Sequence, residues 1–63
     1  DYAGAVDDYT ASIELYPSDP ESYYQRGMLK LLMNNNYDAC LDLKRADEMG
    51  SPDAKAAIRK NCK

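Results

Sequence analysis

Shifted by 34 residues against itself, the sequence places Ala5 on Ala39, Asp8 on Asp42 and Glu14 on Glu48. The same shift sets Val6 on Cys40, Tyr9 on Leu43, Ser12 on Ala46 and Leu15 on Met49, pairs that keep size or apolar character. These positions recur mostly three or four residues apart, the spacing of one face of an α-helix. A chain that repeats at such a period is built of stacked helical units, none of which buries its apolar face alone. The small residues on the repeated face, Ala5 and Ser12 in one copy and Ala39 and Ala46 in the other, mark where a neighbouring helix comes close.

Between the two copies, Glu21 to Met33 reads as a further helix through Tyr23, Tyr24, Gly27, Met28, Leu31 and Leu32. Asp19 is placed to cap its first free amides, Pro20 suits the first helical position, and Glu21 favours the positive end of the helix dipole. Asn34, Asn35 and Asn36 then interrupt the pattern as a turn, because Asn tolerates left-handed backbone and competes for backbone hydrogen bonds. A last helix is expected from Pro52, with Gly50 closing the helix before it, Ser51 as cap, and Ala54, Ile58 and Cys62 along one face. Strand alternation is not seen, so the expected fold is all-α, about four helices joined antiparallel by short turns.

With these elements in place, residues Tyr23 to Ala46 resemble one tetratricopeptide repeat, whose pattern sets aromatic, Gly, Ala and Pro residues at fixed offsets. Tyr23, Gly27, Ala39 and Ala46 stand at the matching separations; Leu43 replaces the later aromatic, and Arg26 and Lys30 depart from the usual Leu and Tyr. Asp1 to Pro17 is similar to the second half of another copy through Tyr2, Ala5, Tyr9 and Pro17. The resemblance implies a division into residues 1–17 (second helix of an incomplete repeat), 18–50 (a complete helix pair) and 51–63 (a C-terminal capping helix). Residues 39–46 with a trailing helix that ends in Cys also look like the C-termini of bacterial repeat proteins.

In the resembled family the first helix of each repeat lines a concave groove that receives peptides. Carried over from Gly27, that gives Glu21, Tyr24, Gln25, Met28, Leu31 and Leu32 as groove candidates, aromatic, thioether and amide groups suited to adaptable contacts. The competing reading of Met28, Leu31 and Leu32 is plain core. Packing between helices falls to Ala5, Tyr9, Tyr23, Gly27, Ala39, Leu43 and Ala46. Gly27 in mid-helix costs about 1 kcal/mol relative to Ala, which is tolerable where the second helix crosses close by against Ala39. The function implied is a protein or peptide-binding scaffold; the alternative is a purely structural cap or self-association module of a larger protein. An uncovered first helix (Tyr2, Val6, Tyr9, Ile13) offers a surface for homo-oligomers.

Composition narrows the classes. A net charge of −3 and an isoelectric point near 4.6 argue against nucleic acid, which needs a basic face. The charges are nonetheless segregated: acids precede Arg26, while Lys55, Arg59, Lys60 and Lys63 crowd the end. No apolar run approaches the ~20 residues needed for membrane insertion. There is no His, no nucleophile beside a base, and no cluster with metal-ligand spacing, so no enzyme, metal or cofactor is expected. Cys40 and Cys62 are the only cysteines. Reduced, buried thiols are the first reading, since two cysteines make no pattern; a disulfide between them that staples the cap is the second. Reduced thiols would suit the cytoplasm, the first expectation; the absent initial Met fits either an export signal already removed or an internal fragment of a longer protein.

Overall fold

Proline, asparagine and glycine mark the helix boundaries. The computed structural model describes residues 1–62 and contains four helices: α1 (Tyr2–Leu15), α2 (Pro20–Leu32), α3 (Asn36–Glu48) and α4 (Pro52–Asn61). Lys63, counted above with the basic C-terminal residues, lies outside the described residues. Pro17 follows the end of α1, where the Tyr16 amide donates to Ser12 O. Asp19 caps α2 by accepting from the Glu21 amide at 3.1 Å, and Pro20 fills the first helical position. Ser51 does the same for α4, its Oγ accepting from the Ala54 amide at 3.1 Å ahead of Pro52. No strand occurs among the described residues, and no helix is long and apolar enough to cross a membrane.

The turns after α2 and α3 are built alike. Asn34 (φ 61°) and Gly50 (φ 98°) take left-handed backbone one residue beyond the helix caps. Their amides bond back to Leu31 O and Asp47 O, while the amides of Asn35 and Ser51 reach Lys30 O and Ala46 O. This pair of bonds satisfies carbonyls a helix end would leave free, and it reverses the chain within three residues. The asparagine run differs from the expectation in one respect: Asn36 is already helical. The carbonyl of Asn35 accepts from the Ala39 amide, so one left-handed residue is enough and the third Asn starts α3.

Short turns make sequence neighbours into spatial neighbours: α2 packs most extensively on α3, then on α1, and α3 packs on α4. The α2 and α3 helices come close together at Gly27. A β-carbon there would stand 2.9 Å from Leu43 Cγ, 3.0 Å from Leu43 Cδ2 and 3.1 Å from the Ala39 carbonyl oxygen. Ala39, Leu43 and Ala46 are fully buried on the facing side of α3, and Ala54 and Ala57 extend the same core to α4. Tyr23, Tyr24, Met28, Leu31, Ile58 and Cys62 close around that cluster, half-buried. Ala5 and Tyr9, the counterparts of Ala39 and Leu43 one repeat earlier, are only half-buried. Tyr2 is exposed, as expected of an open first helix, but Ile13 is buried at 9% exposure, which corrects its place among the uncovered residues. It directly follows Ser12, whose hydroxyl lies 3.0 Å from that of Ser22 on α2. Ser22 in turn donates to Asp19 Oδ2, so the α1–α2 seam is closed at this end by both apolar and polar contacts.

A polar clamp binds three helices together. Asp42 on α3, 8% exposed, accepts two bonds from the Arg26 guanidinium (Nε 2.8 Å, Nη2 2.7 Å) and forms an ion pair with Lys30 Nζ at 3.0 Å. The remaining Arg26 nitrogen, Nη1, donates to Thr10 Oγ1 on α1, and Thr10 donates to Val6 O. The guanidinium also lies over the Tyr23 ring, 5.6 Å from its centroid. Its hydrogen bond to Asp42 holds the Arg26 pKa above the ordinary value against the opposing effect of burial. The two family departures noted in the sequence, Arg26 and Lys30, thus converge on one acid. A paired fork of this kind combines geometric fit with charge-assisted bonding.

The cysteines are joined. Cys40 on α3 and Cys62 at the end of α4 form a disulfide with their Cα atoms 5.9 Å apart, so the reading of two free thiols gives way to the stapled one. The reason is positional: Cys40 follows buried Ala39, and Cys62 continues the Ala54–Ile58 face of α4, so both reach the same seam.

Two outcomes follow from the packing. Gly27→Ala gains about 1 kcal/mol in helix propensity but overpacks a site bounded by backbone, at a cost of about 1–3 kcal/mol. The expected result is a net loss near 1 kcal/mol and a thermal midpoint lower by roughly 5 °C in a circular-dichroism melt; an unchanged or higher midpoint would place the helices farther apart. Asp42→Ala, which strands two partly buried cations, is expected to cost about 3 kcal/mol. A double-mutant cycle of Asp42→Ala with Arg26→Met should return a coupling of about 1–3 kcal/mol, whereas additivity would assign Asp42 to Lys30 alone.

Candidate peptide-binding groove

Periodicity divides α2 into faces on either side of Gly27. With 3.6 residues per turn, Arg26 and Lys30 fall to one side and form the clamp, while Tyr24, Met28 and Leu31 fall to the other. Those three line a groove of about 350 Å³ whose opposite wall is α4: Asp53, Ala56, Ala57, Lys60 and Asn61. All three α2 side chains are half-buried, resting on the core at their base and open to the groove at their tips. The choice between core and groove is therefore not exclusive for Met28 and Leu31, which contribute to both.

The other three candidates sit elsewhere. Glu21, Gln25 and Leu32 share a stripe one face farther round α2 and do not line this groove. Gln25 Nε2 donates to Glu21 Oε2 at 2.7 Å, a bond along the exposed helix surface. Leu32 is 61% exposed in the last turn. The packing residues behave differently: Tyr23, Gly27, Ala39, Leu43 and Ala46 come together at the α2–α3 contact, whereas Ala5 and Tyr9 lie apart on α1.

The sequence marks α4 as a cover and not as a wall of the groove. A signal was available, since Asp53, Ala56, Ala57 and Lys60 recur at three and four residues and define a second α4 face beside the core-facing Ala54 and Ile58. That face ends in opposite charges. Asp53 lies in the first turn and Lys60 in the last, seven residues or about 10 Å apart along the axis. Each complements the helix dipole at its own end, so the groove is acidic at one mouth and basic at the other.

Residues 8–42, from the middle of α1 through α2 into α3, match the family model described as tetratricopeptide repeat, and this is more than half of the chain. The chain belongs to the tetratricopeptide repeat family. Within the matched residues α2 packs on α3 in close contact at Gly27, and the groove lies on the other side of α2 from the clamp. An endochitinase of Carica papaya is 42% identical over 52 residues, which cover 81% of this chain and 21% of that protein. The chain thus spans about a fifth of the length of that curated relative. No solved structure matches the chain.

Proposed function

We propose that this tetratricopeptide repeat segment is a scaffold for protein recognition, and that it holds an extended or helical peptide in the α2–α4 groove. The observation that carries the reading is the groove's composition: a Tyr, a Met and a Leu on one wall, alanines on the other, and single opposite charges at the mouths. Tyr and Met supply large contact area with few conformational constraints on the ligand. Alanines in α4 let a ligand backbone approach closely. Asp53 and Lys60 would orient a peptide by its charges, a contribution to specificity and encounter more than to affinity. Residues 18–50 form the complete repeat in this reading; α1 (within 1–17) occupies the place of α3 one repeat earlier, by the 34-residue shift, and 51–63 is the capping segment.

The similarity to an endochitinase does not lead us to propose sugar hydrolysis. That chemistry needs two carboxyl groups facing each other across a cleft. The α2–α4 groove has Asp53 alone, a second groove at the α3–α4 turn has Asp47 alone, and a third beside the disulfide has none. A module for binding requires no such pair.

Selection of peptides from a random display library against the oxidised protein tests the proposal. Selected peptides are expected to carry apolar anchors, and Tyr24→Ala and Met28→Ala should each weaken them by tenfold or more, since interface affinity concentrates in such anchors. Leu41→Ser, on the exposed side of α3, should leave binding within twofold. Failure to select any peptide, or equal sensitivity at Leu41, would move the chain to a purely structural role.

A further inference from the structure

We propose that the Cys40–Cys62 disulfide is a redox latch on α4, one that closes the α2–α4 groove when formed and releases one wall of it when reduced. The regulatory meaning rests on the reading of that groove as a binding surface; the latch itself does not.

The mechanics lie in how α4 is attached. Its N-terminal end is fixed by a three-residue turn, with the Ser51 amide on Ala46 O and Ser51 Oγ capping Ala54. Its C-terminal end is fixed by the disulfide to α3. Between these points the side chains that α4 buries are two alanines, Ala54 and Ala57, with Ile58 half-buried beside them. Two methyl groups and part of an isoleucine are a weak hold. A ten-residue helix is also below the ~12–15 residues at which helices persist without tertiary support. The disulfide is therefore a dominant restraint on the distal half of α4. That same half supplies Ala57, Lys60 and Asn61 to the groove. Asn61 lines both the groove and the surface pocket of about 410 Å³ in which Cys40 and Cys62 lie.

The bond is reachable. Both cysteines are half-buried and border that open pocket together with Tyr37 and Lys44. The reductant is a dithiol. One of its thiolates attacks a sulfur of the pair and displaces the other as thiolate, and its second thiolate then resolves the mixed disulfide. Two electrons and two protons pass to Cys40 and Cys62, which become thiols, while the donor closes to its own disulfide. The rest of the fold keeps its restraints, because the Arg26–Asp42 clamp and the Gly27 contact involve α1, α2 and α3 only.

Amide hydrogen exchange of the full chain, followed by mass spectrometry before and after reduction with dithiothreitol, tests the latch without any ligand. Reduction is expected to speed exchange in residues 55–62 by at least tenfold, with about three-hundredfold as the ceiling set by the entropy of a loop this long. Amides of α2 and α3 should change by less than threefold. The double variant C40S/C62S should give the fast α4 pattern with and without dithiothreitol. Unchanged α4 exchange on reduction overturns the latch, as does a uniform rise across all four helices or loss of helix in the double variant, either of which makes the bond a staple of the whole fold. A failed latch leaves the peptide selection on the oxidised protein unaffected, so the two readings fail separately.

Discussion

The near-contact of α2 and α3 at Gly27 is the constraint on which the remaining geometry hangs. Removal of one β-carbon lets Leu43 and the Ala39 carbonyl come within packing distance of the α2 backbone. Everything placed around α2 follows from that approach. Arg26 and Lys30 are carried to the side where Asp42 lies, and Tyr24, Met28 and Leu31 to the side where α4 returns. A wider separation would pull the fork off its carboxylate and leave Leu43, the one large side chain fully buried among the described residues, with gaps on its flank.

A core composed mainly of alanines gains little from burial, and a chain of this size has little burial to gain. The balance is made up by interactions that do not scale with side-chain volume. The Arg26 guanidinium, bidentate on the buried Asp42 carboxylate and bonded to Thr10, ties three helices together, so that each helix is registered against the others. The disulfide shortens the unfolded chain's freedom and holds the one helix that the clamp does not reach. This division of labour leaves α1 to α3 as a unit and α4 as an attached arm, which is the physical basis for the latch.

Local chemistry made the helix ends legible in the sequence. Asp19-Pro20, Ser51-Pro52 and Gly50 act through their own backbone geometry, which neighbouring residues determine. Asn36 is helical although it reads as turn in the sequence, because three asparagines satisfy the same turn rule and only the hydrogen-bond register of α3 selects which one is left-handed. The clamp was visible only as two anomalies, Arg26 and Lys30, because an ion pair sixteen residues apart in sequence depends on how two helices cross. The groove's α2 wall was found in part. Tyr24, Met28 and Leu31 were separated from Glu21, Gln25 and Leu32 by the position of α4, and nothing in α2 alone carries that information. The pairing of the cysteines was undecided for the same reason: spacing does not say which faces meet.

Together these features describe a helical segment of the tetratricopeptide repeat family whose clamp and α2–α4 groove depend on one intimate helix contact. Nuclear Overhauser spectroscopy on the protein labelled at Leu and Ala methyls tests that contact most directly. Strong cross-peaks from the Gly27 α-protons to the Leu43 methyls, with weaker ones to the Ala39 methyl, are the predicted result. Helical chemical shifts for α2 and α3 without those cross-peaks would contradict it, because the helices would then form without the approach that positions the clamp and the groove.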